Sequence, residues 1–162
     1  MSAAVTARSL RCGRFRLALD RPLVAGVVNV TPDSFSDGGR SLEPRAAIAH
    51  AQRLADEGAD LVDIGAESSR PGAAGVSAEQ ELSRLMPVLD GLRACPVPIS
   101  VDTTKPEVMR AAIGAGAAMI NDINALRAPG ALEAVAASDA GVCLMHMRGS
   151  RGRCSASRAT AT

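Results

Sequence analysis

A chain of 162 residues with 47% apolar side chains has the length and hydrophobic content of one folded domain, which excludes disorder throughout. Aromatic residues make up only 1%, with two Phe and no Trp or Tyr, so the core must be built from Ala, Val, Leu, Ile and Met. A formal charge of +1 without a ring-studded basic patch argues against a nucleic-acid partner, and no apolar run approaches the roughly 20 residues that cross a membrane.

The opening MSAAVTARSLRCGRFRLALDRP lacks the apolar core of a secretory signal. Residues 1–21 read as a leader segment, and the protein as cytoplasmic. VAGVV (24–28) is a short strand ending at Asn29. After a long loop, EPRAAIAHAQRLADEG places Ile48, Ala51, Leu54 and Ala55 at helical spacing, with Gly58 as the stop. DLVDIG (60–65) is a second strand. A Pro- and Gly-rich loop leads to a second helix, where Ser77 and Gln80 have the spacing of a capping box.

VPISVD (97–102) is a third strand. The helix after it has Pro106 in its first turn and places Thr104 and Glu107 in the same capping relation. AMIND (118–122), PGALEAVAASDA and GVCLMH (141–146) read as strand, helix and strand. Residues 150–162 have no apolar period and read as a disordered tail. Cys12, Cys95, Cys143 and Cys154 are too far apart for a metal or redox pair, so they read as buried or inert thiols.

Alternating strands and helices imply a parallel sheet covered by helices, either doubly wound or closed as a barrel. The polar residues favour the barrel. Asn29, Asp63, Glu67, Asp102, Asn121, Asp122 and His146 all fall at or near the carboxyl ends of strands, where a barrel enzyme assembles its site. A doubly wound fold would favour one Gly-rich turn, and neither G-x-G-x-x-G nor a Walker loop occurs. Eight units need at least roughly 200 residues. This chain supplies five strands and four helices.

Across residues 22–149, GVVNVTPDSFSDGG, VDIGAESSRPGA, ISVDTTKPEVMRAAIGAGAAMINDI and CLMHMRG, in this order and spacing, resemble the first half of dihydropteroate synthase. The resemblance implies an α/β fold, the (β/α)8 TIM barrel. It also implies a reaction in which p-aminobenzoate displaces pyrophosphate from 6-hydroxymethyl-7,8-dihydropterin diphosphate, giving 7,8-dihydropteroate for folate biosynthesis. Magnesium (Mg2+) would accompany the diphosphate. Full-length relatives imply a homodimer, and sulfonamides resemble the aminobenzoate substrate.

The residues fit these roles chemically. Asp102 and Asn121 end strands and offer the acceptors and donors that the flat edge of a pterin requires, although each could instead cap a helix. The resemblance puts both in the pterin site. Asn29 offers a hard amide oxygen for Mg2+, or a turn, and the resemblance favours the metal and diphosphate. Ser69 and Arg70 match a loop that meets the substrates, where Arg70 could pair with a phosphate or with the aminobenzoate carboxylate. Ala66 stands where the motif more usually has glycine, which implies a small backbone adjustment.

In the first loop, Asp33 could stabilise the positive charge that develops on the pterin methylene as diphosphate leaves. Phe35 could lie on the aminobenzoate ring. Asp37 reads as a turn former beside Gly38 and Gly39. Met145 is expected to pack on the pterin, while His146 alone carries too little signal for a role.

An alternative within the group is the pterin domain of a folate-dependent methyltransferase, and DSFSDGG beside SSRPGA favours the synthase. A second alternative is a noncatalytic fragment. The Asp-Pro-Gly, Ser-Arg-Lys and Arg-x-His segments of the family's second half do not occur. RGRCSASRATAT can be written in GC-rich codons that, read one base earlier with a preceding C, give P-G-T-M-Q-R-E-P-R-Y-G-D, a continuation like the family's own. The expectation is a one-nucleotide frameshift. Sequencing across codons 148–162 should show that a single-base change restores an open frame running to Asp-Pro-Gly, and the absence of such a frame refutes it.

Overall fold

The computed structural model describes residues 8–30, 42–67 and 75–146. Five short strands, β3 (Ala25–Asn29), β4 (Leu61–Gly65), β5 (Ile99–Asp102), β6 (Met119–Asp122) and β7 (Gly141–Leu144), form one parallel sheet in the order β3-β4-β5-β6-β7. Between them lie α1 (Leu42–Asp56), α2 (Ala78–Gly91), α3 (Pro106–Gly114) and α4 (Ala131–Ala136). Strand order that never reverses belongs to a winding barrel wall, whereas a doubly wound sheet reverses at its switch point. The barrel reading therefore holds, as an arc of five strands.

Parallel register sorts the side chains into two faces. Val28, Ile64, Val101 and Ile120 share one row, and all are fully buried against the helices. The helices answer with small and branched residues: Ala47 and Ala51 from α1, Leu85 and Val88 from α2, Val108 and Met109 from α3, and Ala131 and Val135 from α4. With hardly any rings to fill space, strand and helix must approach closely. At Gly26 a Cβ would stand 2.9 Å from Leu54 Cδ1 and 3.1 Å from Leu54 Cβ, so the α1–β3 contact needs the missing side chain.

Residues 1–21, read as a leader, contain an antiparallel hairpin of β1 (Ser9–Cys12) and β2 (Phe15–Ala18), turning at Gly13 with φ 53°. Leu10, Cys12, Phe15 and Leu17 pack with Leu61, Ala118 and Met119 at the amino ends of the parallel strands. Gly13 N–H donates to the Asp139 carbonyl at 2.8 Å, and Arg14 donates to the Arg93 and Cys95 carbonyls. The period-2 alternation of these apolar residues with Arg11 and Arg16 around a glycine carried this hairpin in the sequence. Four-residue strands of that kind are a faint signal.

Asp60 ties the hairpin's exit to the sheet. Its Oδ2 accepts from Val24 N–H at 2.8 Å and from Arg21 at 2.9 Å. The Arg21 guanidinium, then the Val24 N–H, hold the Asp60 carboxyl below the usual carboxylate range.

The two expected capping boxes behave differently. At α2 the Ser77 hydroxyl accepts from Gln80 N–H and the Gln80 side chain accepts from Ser77 N–H. At α3 the cap residue is Lys105 with no side-chain cap bond, so the Thr104–Glu107 box is not formed. Instead Thr103 Oγ1 accepts from Lys105 N–H at 3.2 Å, a turn that replaces the box. Ser77→Ala should cost about 1 kcal/mol in urea unfolding, and Thr104→Ala close to nothing.

Candidate active site

At the carboxyl ends of the strands, register places Asn29, Gly65, Asp102, Asn121 and Cys143 in one row on the face turned away from the helices. Three residues expected to form the site, Asn29, Asp102 and Asn121, thus come together from strands distant in sequence. Asp63 was expected at the end of its strand but lies at the middle of β4, in the next row with Val27, Ser100 and Met119. It sits one layer deeper, as the pleat requires.

Asn121 Nδ2 donates to Asp63 Oδ2 at 2.9 Å, which turns the amide oxygen away from the carboxylate. Asp63 Oδ1 is buried and has no hydrogen-bond partner among the described residues. An unpaired buried acceptor costs about 1–3 kcal/mol, and the unmade bond calls for a donor. Above it, a Cβ on Gly65 would stand 3.7 Å from Asp102 Oδ2 and 3.9 Å from Asn29 Oδ1. Glycine here keeps open the gap between carboxylate and amide.

Beside this row is a cluster that sequence reasoning missed. Lys105 Nζ, just past β5, donates to Glu67 Oε2 and, at 2.6 Å, to Glu81 Oε2 of α2. The Glu81 side chain is fully buried, and the Lys105 side chain is 22% exposed. Burial works to lower the Lys105 pKa, but the hydrogen bonds and charges of Glu67 and Glu81 outweigh it, and the pKa is raised. Glu81 shares the buried stripe of α2 with Leu85 and Val88, and a carboxylate at i, i+4 and i+7 spacing from such residues was the signal available. Arg84 donates to the Ala66 carbonyl at 2.9 Å, and Ala66, in the place of the usual glycine, is fully buried.

Other expected groups fall elsewhere. Asp122 is buried and accepts from Asn124 and Leu126 N–H, anchoring the turn in which Ala125 and Leu126 adopt positive φ. It is structural. Met145 and His146 lie beyond the end of β7, Met145 39% exposed and with its N–H on the Asp122 carbonyl. Cys12 and Cys95 are buried as expected, and burial raises the Cys12 thiol pKa, but Cys143 is exposed. Asp33, Phe35, Asp37, Ser69, Arg70 and Cys154 lie outside the described residues. A cavity of about 280 Å³ between Arg14, Phe15, Leu92, Cys95 and Ala117 opens at the opposite, amino end of the strands, away from the polar row.

The family model described as "Pterin binding enzyme" matches residues 25–162. The chain belongs to the pterin-binding enzyme family. Among the relatives of this family member, dihydropteroate synthase of Escherichia coli K12 is 52% identical over 134 residues, covering 82% of this chain and 48% of the relative. The solved dihydropteroate synthase of Xanthomonas albilineans with 4-aminobenzoic acid superposes with a TM-score of 0.84 at 61% identity, covering 89% of this chain and 53% of that one. The Burkholderia cenocepacia enzyme complexed with 7,8-dihydropteroate gives 0.79 at 48% identity, covering 90% and 48%. The chain spans about half the length of the relatives it matches.

Because Asn121 is the only hydrogen-bond partner of the Asp63 carboxylate among the described residues, Asn121→Ala should leave both oxygens unpaired. The expected loss is about 1–3 kcal/mol in urea unfolding. Asp63→Leu with Asn121→Leu, which removes both partners, should cost less than Asn121→Ala alone.

Proposed function

We propose that this chain supplies the pterin side of a dihydropteroate synthase site. The observation that carries this reading is the buried, unpaired Asp63 Oδ1 beside the Asn121 amide, one layer below Asp102 at the carboxyl ends of the parallel strands. A pterin edge presents ring N–H and exocyclic amine donors next to acceptors, so it can donate to Asp63 and Asp102 and pair with the amide of Asn121. The ligands of the X. albilineans and B. cenocepacia enzymes, 4-aminobenzoic acid and 7,8-dihydropteroate, support the synthase over a methyltransferase domain.

In the proposed reaction the aminobenzoate nitrogen forms a bond to the pterin methylene carbon. The bond from that carbon to the diphosphate oxygen breaks, pyrophosphate leaves with the electron pair, and the nitrogen loses a proton. Asp102 and Asn121 hold the ring so that the methylene faces the nucleophile. Asp33 offsets the charge developing on that carbon, and Phe35 covers the aminobenzoate ring. Ser69 and Arg70 hold the diphosphate or the aminobenzoate carboxylate, and Met145 packs on the pterin.

Asn29 Oδ1 and Asp102 Oδ2, hard oxygens on either side of the Gly65 gap, fit Mg2+, which usually keeps several waters and takes phosphate oxygens as ligands. Bound there, Mg2+ would neutralise charge on the leaving diphosphate. A cytoplasmic location, a homodimeric assembly and a domain over 22–149 belong to the same reading.

Calorimetric titration of 6-hydroxymethyl-7,8-dihydropterin into the 162-residue chain tests it. Saturable binding is expected, weakened about tenfold or more by Asp63→Asn or Asp102→Asn, since each removes an acceptor the pterin would use. No binding, or binding that neither substitution weakens, sinks the proposal. Incorporation of labelled aminobenzoate by the same chain then separates an active half-site from a binding-only one.

A further inference from the structure

Glu81, Lys105 and Glu67 join three structural elements around one ammonium. Glu81 comes from the buried face of α2, Lys105 caps α3 just after β5, and Glu67 stands two residues beyond the end of β4. Burying a charge such as that of Glu81 is costly unless it is paired, and well-packed apolar residues would often serve stability as well or better. Glu81 Oε1 raises that cost, since it is buried with no hydrogen-bond partner among the described residues. A cluster that gains so little stability calls for a role in placement.

Its connections show what it could place. Lys105 N–H is bound by Thr103 Oγ1, and Thr103 N–H donates to the Asn121 carbonyl at 3.1 Å, so the cation is tied through the backbone to the row containing Asp102 and Asn121. On the other side it holds Glu67, and Arg84 of α2 independently holds the Ala66 carbonyl. The chain leaving β4 is thus gripped by two consecutive residues before it reaches Ser69 and Arg70.

We propose that Lys105 is a positioning residue: through Glu67 and Glu81 it clamps the segment leaving β4, at Ala66 and Glu67, to the segment leaving β5, so that Glu67 and Asp102 keep one relative placement. The clamp follows from the geometry alone. That the two segments flank one substrate rests on the function proposed above.

Hydrogen exchange, read by mass spectrometry on the whole chain alongside urea unfolding, tests the clamp. Lys105→Met should lower protection about tenfold or more at Ala66 and Glu67 and across 102–106, while peptides of β3 and α4 keep theirs. If Lys105→Met does not fold, the Glu81 pair decides: Glu81→Ala should reproduce the local loss, and Glu81→Gln, which keeps an acceptor for Lys105, should largely prevent it. Uniform loss across the chain, unchanged local exchange, or equal effects of Ala and Gln would overturn the proposal. Inorganic pyrophosphate, titrated with Mg2+, should bind Lys105→Met more weakly than wild type. Failure of wild type to bind it counts against the functional reading, and exchange still decides the clamp.

Discussion

Parallel register across five strands is the constraint on which the rest depends. Because each residue faces the same side as its partner on the next strand, one choice of register puts Val28, Ile64, Val101 and Ile120 under the helices. The same choice sends Asn29, Gly65, Asp102 and Asn121 to the other face. A slip of one residue in any strand would exchange the two sets, burying a carboxylate or amide among aliphatic side chains. The core and the candidate site are thus specified by the same hydrogen bonds.

The two ends of the sheet are treated differently. At the amino ends the β1–β2 hairpin covers Ala118 and Met119 with Cys12, Leu10, Phe15 and Leu17, so that much of that end is apolar packing. At the carboxyl ends glycine at 65 withholds a side chain, and one layer below, Asp63 keeps an oxygen unpaired. One end is built for packing and the other leaves polar capacity unspent, the division expected of a barrel enzyme.

Charge is handled with similar economy. Surface pairs such as Arg53 with Glu57 are two exposed side chains and contribute little to stability. The Lys105 cluster differs because Glu81 is fully buried and Lys105 partly so, and because it ties α2 to the ends of two neighbouring strands. Asp122 works in the same manner at shorter range, holding the turn after β6 by two backbone N–H groups.

Much of this was legible in the sequence. The alternation of apolar runs and helical stripes, the Ser77 cap, and the polar residues ending the strands pointed to a barrel wall with its chemistry at one end, and the long motifs pointed to the pterin-binding family. What local pattern could not show was which polar residues face one another. Asp122 and Asn121 are neighbours in the chain, yet the pleat sends one into a turn and the other toward Asp63. Thr104 and Glu107 had the spacing of a cap, but the Thr103 turn took its place. The Lys105 cluster draws on residues 67, 81 and 105, and only packing α2 and α3 against the sheet brings them together. Periodicity records which face an element buries; partners across elements are decided when those faces meet.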